Sequence, residues 1–173
     1  MTIQIDSREK ERAIGKILHE FERQSVKHFI SKLPVGDYMS LDNARLVIDR
    51  KQNLSELCSN VSGIPLKDGR GRMKRYADGA PMTPVERFRR ELERAREYGV
   101  RLVILCEHGG SVTRLEDVAR WVNPRLKESP LAVSGERLYR ILYSLGKTYG
   151  AEFRFCSKAR TGAEIIRILS DEG

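Results

Sequence analysis

The stretch that most constrains this chain is R-L-V-I-L-C, Arg101 to Cys106. Side chains alternate between the two faces of a strand, so a run that is apolar at nearly every position must be buried on both faces. Such a strand belongs inside a sheet covered by helices on either side. Its neighbours fit that role. T-P-V-E at 83 to 86 supplies a capping Thr83, a first-turn Pro84 and Glu86 at the reciprocal position of a capping box. Val85, Phe88, Leu92 and Ala95 then make an inner stripe, and Gly99 ends the helix. After Gly109 and Gly110 comes a short helix over Leu115 to Val122. Ser134 caps a longer one with Leu138, Ile141, Leu142 and Leu145 inward, closed by Gly150. Ala151 to Cys156 is the next strand, and T-G-A-E at 161 to 164 reads as a second capping box before Ile165, Ile168 and Leu169.

The front of the chain reads as a strand over Thr2 to Ile5, with Asp6 and Ser7 as helix caps, followed by a stripe of Ala13, Ile14, Ile17, Leu18 and Phe21. Val26 to Ser31 and Arg45 to Asp49 are two further strands, expected to pair as an antiparallel hairpin. The fold class is therefore α/β, with crossover units on a parallel back half of a mixed sheet.

At 173 residues the chain is one domain, 1–173, long enough for an ordinary core. Hydrophobic residues at 40% and charged residues at 32% exclude a disordered or fibrous chain, and no apolar run is long enough to span a membrane. Charge within the first six residues argues against a secretory leader, so the expected location is intracellular, and cytoplasmic in a prokaryote or phage rather than nuclear. Cys58, Cys106 and Cys156 are too far apart for a zinc cluster, and His19, His28 and His108 show no ligand spacing. No phosphate-binding glycine loop occurs. A formal charge of +8 points to a polyanionic partner. Between 60 and 82 the periodicity fails, and Lys67, Arg70, Arg72, Lys74 and Arg75 outnumber Asp68 and Asp78 among glycines and prolines. This segment is expected to be a mobile basic loop, read from charge alone as either a track for a polyanion backbone or a solvated surface loop.

Candidate chemistry gathers at the strand ends: Asp6 after the first strand, Asp37 in G-D-Y, and Asp49 with Lys51 in V-I-D-R-K. Two residues apart on a strand, Asp49 and Lys51 share a face, while Ile48 and Arg50 share the other. Carboxylates beside an ammonium suit phosphodiester hydrolysis, in which hard oxygen ligands hold Mg²⁺ and its bound water attacks. Lys51 would orient that water or stabilise the transition-state charge. Taken alone, D-R-K equally describes a solvated strand edge with an ion pair worth under about 1 kcal/mol.

Three segments in order, I-D-S-R-E at 5 to 9, L-P-V-G-D-Y at 33 to 38 and D-R-K-Q-N-L-S-E-L at 49 to 57, resemble the signature of XPF-type structure-specific endonucleases. E-R-F-R-R-E-L at 86 to 92 is similar to that family's R-F-x-x-Q helix. The resemblance implies a restriction-endonuclease-like, three-layer α/β/α core with a central mixed sheet. It implies cleavage of branched DNA (flaps, forks or junctions, partly single-stranded) in repair or recombination, with Mg²⁺ or Mn²⁺. By the same resemblance Asp6, Asp37 and Asp49 are metal carboxylates, Lys51 is the catalytic lysine, Arg8 and Arg50 support the site, and Arg87 binds DNA. Two positions depart from it: Asp49 replaces a glutamate, and Ser55 stands at an aspartate position beside Glu56. These departures favour the alternative of a catalytically silent DNA-binding or scaffold relative. The tandem helix-hairpin-helix modules of the family are not expected here, leaving substrate choice to the domain, to a homodimer or to a partner protein.

Overall fold

The computed structural model describes residues 1–130 and 132–171. Six strands form one sheet: β1 (Thr2–Ile5), β2 (Lys27–Ile30), β3 (Tyr38–Ser40), β4 (Asn43–Lys51), β5 (Arg101–Glu107) and β6 (Glu152–Cys156). Five α-helices connect them: α1 (Glu11–Arg23), α2 (Leu54–Asn60), α3 (Pro84–Glu97), α4 (Gly135–Tyr149) and α5 (Thr161–Ser170). The spatial order is β2-β1-β3-β4-β5-β6. β1 and β2 are parallel, β3 runs antiparallel to both β1 and β4, and β4, β5 and β6 are parallel to one another.

The apolar run of β5 occupies the interior position foreseen for it, and its two parities feed two cores. Leu102, Ile104 and Cys106 pack with Leu57, Phe88, Leu92, Leu138 and Leu142 under α2, α3 and α4. Val103 and Leu105 pack with Ile14, Ile17, Phe21, Ile165 and Ile168 under α1 and α5. The result is the three-layer α/β/α arrangement around a mixed sheet.

Three expectations need correcting. The segment at 27–30 does not pair with β4; it lies parallel to β1 at the sheet edge, with β1 and β3 between it and β4. The intervening pairing belongs to β3, three residues long, whose alternation is too brief to register as a strand in sequence. Asp6 does not cap α1, which starts at Glu11 after Lys10 without a side-chain cap, because its carboxylate is used elsewhere. Thr161 opens α5 from inside its first turn, and its hydroxyl donates to Lys158 O, so T-G-A-E is not a capping box. At α3 the cap holds by half: Thr83 Oγ1 accepts the Glu86 N–H at 3.1 Å, but the Glu86 carboxylate turns to Arg89 and Arg90.

The segment expected to be mobile is folded into two successive tight turns. Leu66 N–H donates to Met82 O, Lys74 N–H to Leu66 O, and Met82 N–H to Lys74 O, each at 2.8 Å, stitching the turns into a strap. Gly71 and Gly79 take the left-handed backbone the turns require.

Leu105 is fully buried in the core shared with α1 and α5. Leu105→Ala is expected to lower unfolding stability by about 2–5 kcal/mol in urea titration; a loss under about 1 kcal/mol would contradict an interior β5.

Candidate active site

The end of β4 carries two charged clusters on opposite faces. On the face toward α3, Lys51 Nζ lies 2.8 Å from Asp49 Oδ1 and 2.7 Å from Oδ2, with both side chains nearly buried. Lys51 also sits 5.7 Å from the Phe88 ring centre, over the first half of α3. Burial opposes the ammonium, but Asp49 outweighs it and raises the Lys51 pKa, so Lys51 is a fixed cation and a donor, not a base.

Asp37 is brought beside this pair by backbone chemistry. Gly36 has φ +67°, and a Cβ there would overlap Val47 and lie 2.9 Å from Ile48 O, so only glycine lets the chain run this close to β4. The Asp37 N–H then donates to Ile48 O at 2.7 Å, and Asp37 Oδ2 accepts the Arg50 N–H at 2.8 Å. Burial, the neighbouring Asp49 charge and Glu9 push the Asp37 carboxyl up to about 8. The single backbone donor and Lys51 do not offset them.

Asp6 is differently placed. Its Oδ1 accepts the Arg8 backbone N–H at 2.8 Å and Arg8 Nε at 2.5 Å, and its Oδ2 accepts the Leu33 N–H at 2.6 Å. Burial alone would raise its pKa, but these donors hold it below the ordinary carboxylate value. Its N–H donates to Asp37 O at 2.8 Å, so Asp6 braces the 33–37 turn that presents Asp37. Among the described residues no group of three His, Cys, Asp or Glu side chains is placed to hold one ion.

Arg50 faces the other core, as the alternation requires. Its guanidinium donates to Glu107 Oε1 at 2.9 Å and to Glu9 Oε2 at 2.8 Å, and is almost wholly buried. It is a structural tie between β4, β5 and the segment before α1. It reaches the site through its backbone N–H, which donates to Asp37. Arg8 is mostly exposed beyond Asp6 and lines a cavity with Glu91, Arg87, Arg90 and Arg94. Ser55 adds no charge, and Glu56 is spent on α2, where its Oε2 accepts the Gln52 N–H at 2.7 Å.

Sequence reasoning missed Glu91. A helix with Arg87, Arg89, Arg90, Arg94 and Arg96 beside Glu86, Glu91, Glu93 and Glu97 reads from sequence as a surface whose charges cancel in pairs, and Arg89 and Arg90 do pair, but Glu91 forms no ion pair among the described residues. It is partly buried; burial and then the Asp49 charge raise its pKa. The signal was its spacing: Glu91 lies three residues after Phe88, on the helix face turned to Lys51.

Residues that could take part in holding a divalent cation are Asp37 and Asp49. The fit rests on two observations among the described residues: the buried Asp49 Oδ2 oxygen, though 2.7 Å from Lys51 Nζ, has no aligned hydrogen bond, and Asp37 has no cationic side chain bonded to it. A cation there would satisfy both hard oxygen donors.

Because the Asp37 pKa is raised, its contribution to stability is fully present below about pH 4 and is lost as pH rises through about 8. Asp37→Asn is therefore expected to raise the metal-free melting temperature at pH 8 by about 2–4 °C for each kcal/mol relieved, by an amount that shrinks steadily as pH is lowered toward 4. A melting temperature at pH 8 that falls instead would show that the carboxylate is not destabilising.

The ERCC4 domain matches residues 5–169. Among solved structures, XPF from Aeropyrum pernix superposes with a TM-score of 0.61 at 19% identity, covering 98% of this chain and 63% of that one. XPF from Aeropyrum pernix in complex with DNA gives 0.59 at 20% identity, covering 97% of this chain and 62% of that one. The chain thus spans less than two thirds of the length of those chains. No protein of curated function matches the sequence. No helix among the described residues is long and apolar enough to cross a membrane. With the sheet order, the D-R-K strand end and a domain match over nearly its whole length, this chain belongs to the ERCC4 domain family and has the fold of an XPF-type nuclease domain.

Proposed function

We propose that this domain is a DNA endonuclease that hydrolyses a phosphodiester bond with the help of Mg²⁺ or Mn²⁺, acting on branched DNA such as flaps, forks or junctions. The observation that carries the reading is the convergence of Asp37, Asp49 and Lys51 at the same end of β3 and β4. A divalent cation bound by such a pair supplies phosphate neutralisation and a water acidic enough to attack. The chain's own residues do the rest. Asp37 and Asp49 offer oxygen donors on one face. Lys51, a permanent ammonium, orients the attacking water or donates to a phosphate oxygen as negative charge grows. Asp6, tied to Leu33 and Arg8, keeps Asp37 in place rather than serving as a third ligand.

DNA binding is assigned to the exposed cations of the strap, Lys67, Arg70, Arg72, Lys74 and Arg75, and to Arg87 on α3. Arg72 is partly neutralised by Asp68, whereas Lys67, Arg70 and Lys74 form no ion pair among the described residues. That one protein in the family's fold is seen in complex with DNA supports the assignment. Substrate choice through a homodimer or a partner protein belongs to the same proposal, as does action in repair or recombination.

Ser55 and the shortened acid Asp49, where the family signature has an aspartate and a glutamate, favour one other reading, a silent relative that binds DNA without cutting it. Cleavage decides between them. Purified protein is expected to nick a flap or fork in Mg²⁺ or Mn²⁺, and Lys51→Met to lower the rate by at least about 10²-fold. Asp37→Asn should abolish nicking while melting no lower than wild type, so its loss cannot be ascribed to unfolding. Salt-sensitive binding to the same DNA with no nick in either metal would establish the silent relative.

A further inference from the structure

Beside the carboxylates lies a cavity of about 360 Å³, within the size range of small-ligand pockets, lined on one side by Arg8, Arg87, Arg90 and Arg94. Arg87, Glu91 and Arg94 follow one another at helical spacings of four and three, where surface ion pairs ordinarily form. None forms here: among the described residues neither Arg87 nor Arg94 is within ion-pair distance of a carboxylate, and both are exposed. Glu91 senses Asp49 and Lys51 instead, which links this cavity to the candidate active site. Ser59 and Asn60 at the end of α2 and Tyr76 of the strap complete its border. Tyr76 lines the cavity with its ring stacked 3.7 Å from the Arg90 guanidinium, and Arg90 is fixed in turn by Asp78 at 2.7 Å and Glu86 at 3.1 Å. Arg90 is thus spent on holding the wall and Arg8 is tied through Nε to Asp6, leaving Arg87 and Arg94 as the cavity's arginines with no carboxylate partner among the described residues.

We propose that this cavity is a phosphate subsite, in which Arg87 and Arg94, with Arg8, hold an internal phosphodiester of the DNA strand next to the one positioned at Asp37, Asp49 and Lys51. The inference rests on the DNA reading for the identity of the strand, but not on cleavage. The Arg87 and Arg94 guanidinium groups, without carboxylate partners among the described residues, match the charge and fork geometry of phosphate oxygens, and Arg8, tied to Asp6 through Nε, adds its remaining positive edge. Tyr76 of the strap and Ser59 and Asn60 of α2 border this half-open concavity, which gives the subsite a fixed place beside α3.

The test separates a built site from diffuse attraction by comparing two arginines of the same helix. Arg96 also pairs with no carboxylate among the described residues, but lies over the Tyr149 ring, away from the cavity. Binding of a fluorescein-labelled dT10 without a terminal phosphate is measured in EDTA, where no cutting occurs. Arg94→Gln should weaken it about tenfold and Arg96→Gln less than twofold. The Arg87→Gln, Arg94→Gln double variant should lower the salt-dependence slope by about 1.4, that is about 0.7 for each lost contact on a single strand. Equal losses in Arg94→Gln and Arg96→Gln would overturn the subsite. So would an Arg94→Gln effect seen only with 5′-phosphorylated dT10, which would place a terminal phosphomonoester in the cavity. A protein that binds as expected yet never nicks a flap retains this site and loses the nuclease assignment.

Discussion

The alternation of side chains along β4 is the constraint on which the rest of this structure depends. Residues 47, 49 and 51 look toward α3, and residues 46, 48 and 50 look toward α1 and α5. Three consecutive charged residues at the end of an interior strand can be buried only if each finds a partner at once. Lys51 takes Asp49 on one face, and Arg50 takes Glu107 and Glu9 on the other. One register slip would exchange the two sets and leave charges against apolar side chains. The Arg50 tie therefore fixes the frame in which Asp49 and Lys51 present their charges to the opposite face.

The two aspartates flanking the strand ends illustrate how local wiring divides roles between like residues. Asp6 receives two backbone N–H groups and a guanidinium, stays ionised and acts as a brace. Asp37 receives one backbone N–H, faces Asp49, and holds its proton far longer. An under-compensated carboxylate costs the metal-free fold stability and is the natural place for a cation. Glycine at position 36 makes that arrangement possible, since any Cβ would push Asp37 away from β4.

Much of this was legible in the sequence, for physical reasons. The apolar run of β5, the Thr83 cap and the period-two spacing of Asp49 and Lys51 are local signals, and the structure reproduces all three. What failed was non-local. Asp6 looks like a helix cap until the Leu33 N–H arrives from 27 residues away, and β2 looks like a hairpin partner until β1 and β3 intervene. Glu91 was hidden by composition, since a helix dense in Arg and Glu suggests neutralising pairs at every step. Only the packing of Phe88 against Lys51 shows which turn of α3 faces inward.

The central claim is that Asp37 and Asp49 share one divalent cation beside Lys51, and metal-dependent thermal stability tests it most directly. Melting temperature is followed at pH 8 as Mn²⁺ is added to wild type, Asp37→Asn and Asp49→Asn. A ligand that binds only the folded state raises the melting temperature with its concentration. The account predicts a rise in wild type that is lost in both variants. A rise of the same size in Asp37→Asn would contradict it, because the ion would then be bound elsewhere.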